Sequence, residues 1–195
     1  LEITKDGINE IDYLNLDAYV WYEQVIDRNW NELSAFDKSV FEDFVWLICD
    51  KDKERFESMC CVIGYLMHSF KTSANNRAII FNDQIISDNP NGGSGKGLFC
   101  NALGHMKKVS TIDGKQFDFG KSFAYQTVSP ETQILVFDDV KRNFNFENLF
   151  SLITEGITIE KKNKDAIHLP LSKSPKVIIT TNYTIQGEGG SHERR

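Results

Sequence analysis

Residues 89–97 read Asn-Pro-Asn-Gly-Gly-Ser-Gly-Lys-Gly and run directly into Leu-Phe-Cys-Asn-Ala-Leu-Gly, a glycine-rich loop followed by the start of an apolar helix. Such a loop aims successive backbone N–H groups at one point, and the helix behind it adds the positive end of its dipole. Lys96 can reach the outer phosphates of a nucleotide, so the chemistry suited to Asn91, Gly92, Gly93, Ser94, Gly95, Lys96 and Gly97 is the holding of a nucleoside triphosphate. The usual Gly-x4-Gly-Lys-Ser/Thr spacing is met in part. Pro90 stands at the first glycine position, and Gly97 replaces the hydroxyl that normally touches Mg2+.

Two further segments carry chemistry in the order a nucleotide site requires. Gln133 to Val140 reads QILVFDDV, an apolar run ending in two carboxylates, which suits a buried parallel strand that releases Asp138 and Asp139 at its C-terminal end. Ligands of open α/β sheets bind at that edge. Asp138 would hold Mg2+ directly or through water, and Asp139 would orient or deprotonate an attacking water. Lys176 to Thr181, KVIITT, is a second such strand, and it ends in Asn182, whose amide can hold that water or report the terminal phosphate.

The elements needed to position these groups can be read from periodicity. Ser34 or Asp37 is expected to cap a helix reaching Cys49, with Phe36, Val40, Phe41, Phe44, Val45, Leu47 and Ile48 as its apolar face. A second helix is expected over about 52–70, where Phe56, Met59, Cys60, Ile63, Leu66, Met67 and Phe70 recur at steps of three and four. The spacing then predicts a strand at 77–81, a helix over 96–107, strands at 109–112 and 123–128, and a short helix over 145–155. Residues 1–35 have no clean period and read as short helices or an extended lead-in. Residues 157–169, ITIE-KKNKD-AIHL, alternate on either side of a polar turn and predict a β-hairpin with Lys161, Lys162 and Lys164 at its tip. His68 and His168 read as scaffold. Strands alternating with helices imply an α/β fold with a mostly parallel sheet, preceded by a small helical region.

Composition narrows the class. The 195 residues are 41% hydrophobic and 12% aromatic, as in an ordinary globular protein, and no apolar run is long enough to span a bilayer. A soluble protein of the reducing cytoplasm is expected, without a membrane partner. Cys49, Cys60, Cys61 and Cys100 lack metal-ligand spacing, and the adjacent Cys60 and Cys61 read as core. Residues 1–70 carry 15 acidic against 6 basic side chains, and residues 71–195 carry 13 against 16. That division argues against nonspecific duplex binding over the whole surface and leaves room for a local nucleic-acid site. The chain begins without Met, and a fragment of a longer protein is expected.

The loop NPNGGSGKG, the strand ILVFDDV, the basic hairpin IEKKNKDAIHL, the strand IITTN and the terminal SHERR together resemble the superfamily 3 helicases, AAA+ ATPases of viral, phage and mobile-element replication. The likeness covers about residues 37–195, is strongest from 77 onward, and is closest to the helicase part of poxvirus-type and phage-type primase-helicases. It implies an AAA+-like P-loop NTPase core at 77–195, truncated at its C-terminal end, behind a helical region at 1–76. It also implies ATP and Mg2+ as ligands, a homo-hexameric ring with ATP between subunits, and an arginine finger at Arg194 or Arg195 reaching the neighbouring site. The hairpin lysines would line the ring and hold single-stranded DNA, and other replication proteins are possible partners. No aromatic lies on the hairpin tip, so gripping would be of the backbone.

Gly97 departs from the family pattern and leaves Asp138, water and phosphates as metal ligands. Beside the leading expectation, an ATP-dependent DNA helicase or translocase module, stand two others. One is an AAA+ or STAND-like switch that uses nucleotide to control protein assembly without touching DNA; the other is a degenerate nucleotide-binding scaffold, which Gly97 favours.

Overall fold

The structure, a computed structural model, describes residues 1–17, 19–27, 39–84 and 92–184. The expected caps Ser34 and Asp37, loop residues Pro90 and Asn91, and the arginines Arg194 and Arg195 lie outside the described residues.

The chain opens with an exposed antiparallel pair, β1 (Glu2–Thr4) and β2 (Gly7–Asn9), followed by two 3-10 turns. Helix α1 (Val40–Ile48) is capped by Ser39, not by Ser34 or Asp37 as expected: the Ser39 hydroxyl accepts the Glu42 N–H, and Glu42 and Asp43 in the first turn face the positive end of the dipole. Helix α2 (Lys53–Met67) starts in the same way at Asp52, whose carboxylate accepts the Arg55 N–H at 2.9 Å. The helix stops short of the expected 70. Phe70 is exposed, and so are Cys60 and Cys61, which therefore do not belong to the core. The stripe that packs is Phe56, Met59, Val62, Ile63 and Leu66, and Cys60 stands about 100° around the helix from Met59.

Four parallel strands form the central sheet: β3 (Ile79–Phe81), β4 (Val109–Asp113), β5 (Ile134–Val140) and β8 (Lys176–Thr181), in the order β3-β8-β5-β4. Such strands are buried on both faces, which is why β5 and β8 read as continuous apolar runs. Ile134, Val136 and Ile178 face α1, α2 and α3 (Lys96–Leu103), where Phe99, Cys100 and Leu103 are buried against them. Leu135, Phe137, Val177 and Ile179 face the other way, into an aromatic layer of Phe117, Phe144 and their neighbours. The Phe117 and Phe137 ring centroids there lie 5.0 Å apart, edge to face.

That aromatic layer overturns one expectation. Residues 123–128 form no strand: Phe123 has a φ of 62°, and the segment folds into turns closed by Gln126 N–H to Phe123 O and Val128 N–H to Tyr125 O. The apolar residues there serve burial in a coil, with Val128 fully enclosed and Tyr125 tilted against Phe117. Helix α3 also ends earlier than expected, at Leu103 before Gly104. The short 145–155 helix divides into a 3-10 turn (Phe146–Leu149) and α4 (Phe150–Thr154).

The hairpin forms as expected, from β6 (Gly156–Ile159) and β7 (Ile167–Pro170), paired antiparallel with Thr158 opposite His168. Among the described residues no helix is long and apolar enough to cross a membrane.

Candidate functional site

The chain leaves β3 for the far edge of the sheet and returns as β8 beside it, so a crevice opens at the C-terminal ends of these two strands. The glycine loop crosses this edge. Gly92, Gly93 and Gly95 have φ values of 67°, 80° and 87°, the left-handed region that side chains rarely adopt. Gly95 has a second reason to lack a side chain: a Cβ there would stand 2.9 Å from Ile48 Cγ2. Gly97, inside α3, would meet nothing within 4 Å, so packing does not demand a glycine there.

Lys96, the first residue of α3, points into the crevice. Its ammonium donates to Asp83 Oδ1 at 2.5 Å, Asn182 Oδ1 at 2.7 Å and Ser94 Oγ at 3.0 Å. The Lys96 and Asp83 side chains are only 15% and 14% exposed, so this ion pair is shielded in a way surface pairs are not. Burial pushes the Asp83 carboxyl up, but hydrogen bonds from Lys96 and Ser94, together with the Lys96 charge, outweigh it and hold the group below its ordinary value.

The acidic strand reaches the same edge through a bulge. The β5–β8 register shifts between Phe137 and Val140, and Asp139 takes a φ of 53°. Thr180 fills the gap: its hydroxyl donates to Asp138 Oδ1 and accepts the Asp139 N–H, both at 2.7 Å. Asp139 Oδ1 accepts from Asn182 Nδ2 at 3.2 Å, and Oδ2 pairs with the Lys115 ammonium. A continuous chain of contacts therefore runs Asp83, Lys96, Asn182, Asp139, Lys115 along the strand ends.

Of the residues singled out by sequence, Ser94, Lys96, Asp138, Asp139 and Asn182 are brought together at this edge. Lys161, Lys162 and Lys164 lie elsewhere, in the turn between β6 and β7. There Lys164 N–H bonds Lys161 O at 3.1 Å and Asn163 takes a φ of 58°, which asparagine tolerates. Lys162 and Lys164 are exposed and Lys161 is half-buried, with Glu160 and Asp165 flanking the three. The Ser129 hydroxyl chiefly, with Lys161 and Lys108 adding to it against burial, lowers the Glu131 carboxyl. Glu131 precedes the start of β5, so the lysine turn stands toward the edge opposite the crevice.

Asp83, Thr180 and Lys115 were not singled out from the sequence. Asp83 was within reach, because the rule that polar residues just past a parallel strand face the ligand edge applies to β3 as it does to β5 and β8. No groups of three or more His, Cys, Asp or Glu suited to a metal ion occur among the described residues.

The fold and this edge define an α/β protein whose parallel sheet gathers a glycine-loop lysine, two strand-end carboxylates and an amide in one crevice. Residues 89–195 match the family described as "Family of unknown function (DUF5906)", and the chain belongs to that family. The match spans the loop, the acidic strand, the hairpin and Asn182, while Asp83 precedes it. No curated protein matches the chain.

Proposed function

We propose that the crevice binds and hydrolyses ATP, and that the chain is the motor module of a ring-forming, superfamily 3-like DNA helicase or translocase. The observation that carries this reading is the convergence of Lys96, Asp139 and Asn182, from three separate segments, within one hydrogen-bonded chain. Lys96 and the loop N–H groups would take the phosphates, exchanging Asp83 for the ligand. Asp139 and Asn182 would hold the attacking water.

Mg2+ fits this donor set as an ion carried in with the nucleotide. Asp138 offers a hard carboxylate oxygen beyond the one that Thr180 occupies, and Mg2+ is usually held by one or two carboxylates plus phosphates and water. When bound it would neutralise charge on the transferring phosphoryl group. A groove of about 660 Å3 beside Ile48, which also approaches Gly95 of the loop, would take the base; its wall mixes apolar Ile48, Cys49, Met59, Val62 and Phe81 with polar Asp52, Glu54, Arg55 and Ser58.

The hairpin supports coupling by its connectivity, since it is inserted between β5 and β8 and both strands end in crevice residues. Lys161, Lys162 and Lys164 would grip single-stranded DNA, and Arg194 or Arg195 would serve the neighbouring subunit's site in a hexamer. Glu160 and Asp165, which offset part of the tip's charge, favour a second reading: a nucleotide-dependent protein-assembly switch that leaves DNA alone. Measuring MgATP hydrolysis with and without single-stranded DNA separates them. The motor reading expects stimulation that disappears when the three lysines become alanine, the switch reading expects indifference to DNA, and absence of nucleotide binding rejects both.

A further inference from the structure

Lys115 follows β4, whose last residue, Asp113, lies opposite Asp138 in the parallel register. The turn after it is fixed from two sides. Asp113 Oδ1 accepts the Lys115 and Gln116 N–H groups at 2.9 and 3.3 Å, and the Gly114 N–H donates to Asp138 O at 2.7 Å. Gly114 must also lack a side chain, because a Cβ would stand 2.5 Å from Val140 Cγ1 and 2.7 Å from Asp138 O. The backbone before Lys115 is thus seated against the bulge that presents Asp139.

The side chain, by contrast, is 60% exposed, and its ion pair with Asp139 is of the solvent-screened kind that contributes little. Lys115 is therefore anchored at its base and held at its tip only by a screened ion pair. Along the strand ends it stands beyond Asn182 and Asp139 from Lys96, where the phosphate farthest from the base would extend. We propose that Lys115 is a second phosphate-binding cation of the crevice, held on Asp139 until the terminal phosphate of a nucleoside triphosphate takes it. The proposal rests on the nucleotide reading above. It makes Lys115 a discriminator: a triphosphate engages it and a diphosphate does not, and its release leaves Asp139 to water.

Calorimetric titration of the whole chain with the magnesium complexes of adenylyl imidodiphosphate and of ADP tests this without turnover. Lys115→Ala is expected to weaken the triphosphate analogue about tenfold and ADP less than twofold, as loss of one charge-assisted contact requires, and Lys115→Arg to keep most of the preference. Asp139→Asn, which frees Lys115, is expected to tighten the triphosphate analogue, and the gain should vanish in the Lys115→Ala/Asp139→Asn double variant. Thermal melts confirm that each variant is folded. Equal losses for both nucleotides, no loss, or a gain that survives in the double variant overturns the role of Lys115 while leaving the nucleotide site standing. Failure of the wild-type chain to bind either nucleotide removes the site and this inference together.

Discussion

At the C-terminal edge of the sheet Lys96 and Lys115 are held by carboxylates and an amide, whereas at the N-terminal edge Lys71 and Lys176 are held by neutral groups. Lys71 donates to Ser174 O, to Ser174 Oγ at 2.8 Å and to Pro175 O at 3.3 Å. Lys176, 2% exposed, donates to Tyr65 O in the last turn of α2 and lies 3.8 Å from the Tyr65 ring centroid. Carbonyls at a helix end carry the negative pole of the dipole, so they can hold a cation with no anion present. Among the described residues neither lysine has a carboxylate partner. Burial lowers each to about 8, with the charge of Lys176 adding to it at Lys71 and the charge of Lys107 at Lys176. His68, near Lys176, is lowered by burial and by the charges of Lys176 and Lys107.

The contrast separates lysines fixed by the fold from lysines that a ligand could draw away. Carbonyls fixed just before β8 and in α2 cannot leave, and their lysines tie elements together. Side-chain carboxylates at the strand ends could be exchanged for another anion, and their lysines sit where an incoming phosphate would compete.

The largest expected effect is on chemistry at the C-terminal edge. Asp139→Asn should lower ATP turnover by about 10²–10⁴-fold, the range for a positioned acid or base, while nucleotide binding survives in the same titration. Turnover within twofold of wild type would remove Asp139 from its role. Next is the backbone that seats the bulge. Gly114→Ala forces a Cβ onto Val140 and Asp138, and overpacking of this kind costs about 1–3 kcal/mol, read as a fall in Tm. An unchanged Tm would mean that the loop before Lys115 is not seated as described.

A smaller effect is expected at the hairpin. Replacing Lys161, Lys162 and Lys164 by alanine should reduce the slope of log K against log salt for single-stranded DNA by about 2, at ~0.7 per phosphate contact. Identical slopes would favour the assembly switch.

The smallest effect concerns the N-terminal edge and pH. Because Lys71 and Lys176 fall to about 8 in the folded chain from 10.5, the unfolded chain binds more protons between these values, and stability rises with pH across that window. Below about 8 both states are protonated and the contribution is flat. Melting curves from pH 7 to 10 should show a steeper rise for wild type than for Lys71→Met/Lys176→Met, and parallel curves would contradict the unpaired burial.

Much of this could be read from the chain because parallel strands declare themselves by apolar runs and by the polar residues that follow them. ILVFDDV and KVIITTN gave their strands and their edge residues together, and the alternation around KKNK gave the hairpin. Lys115 was hidden because Asp113-Gly114-Lys115 reads as an ordinary turn, and only the β4–β5 register brings it to Asp139. Asp83, two residues past the strand read at 77–81, was missed although the same edge rule reaches it. Phe123 to Val128 misled for the opposite reason: an apolar run can fill a core as turns when one residue adopts positive φ.

If the carboxylate-held lysines serve a nucleotide and the carbonyl-held lysines serve the fold, only the first kind matters to binding. Titrating MgATP into the wild-type chain, Lys96→Ala and Lys176→Met under one set of conditions compares the two directly. Wild type is expected to bind, Lys96→Ala to lose at least ~100-fold with its charge-assisted phosphate contacts, and folded Lys176→Met to keep wild-type affinity. Wild-type affinity in Lys96→Ala, or a matching loss in folded Lys176→Met, would contradict that division.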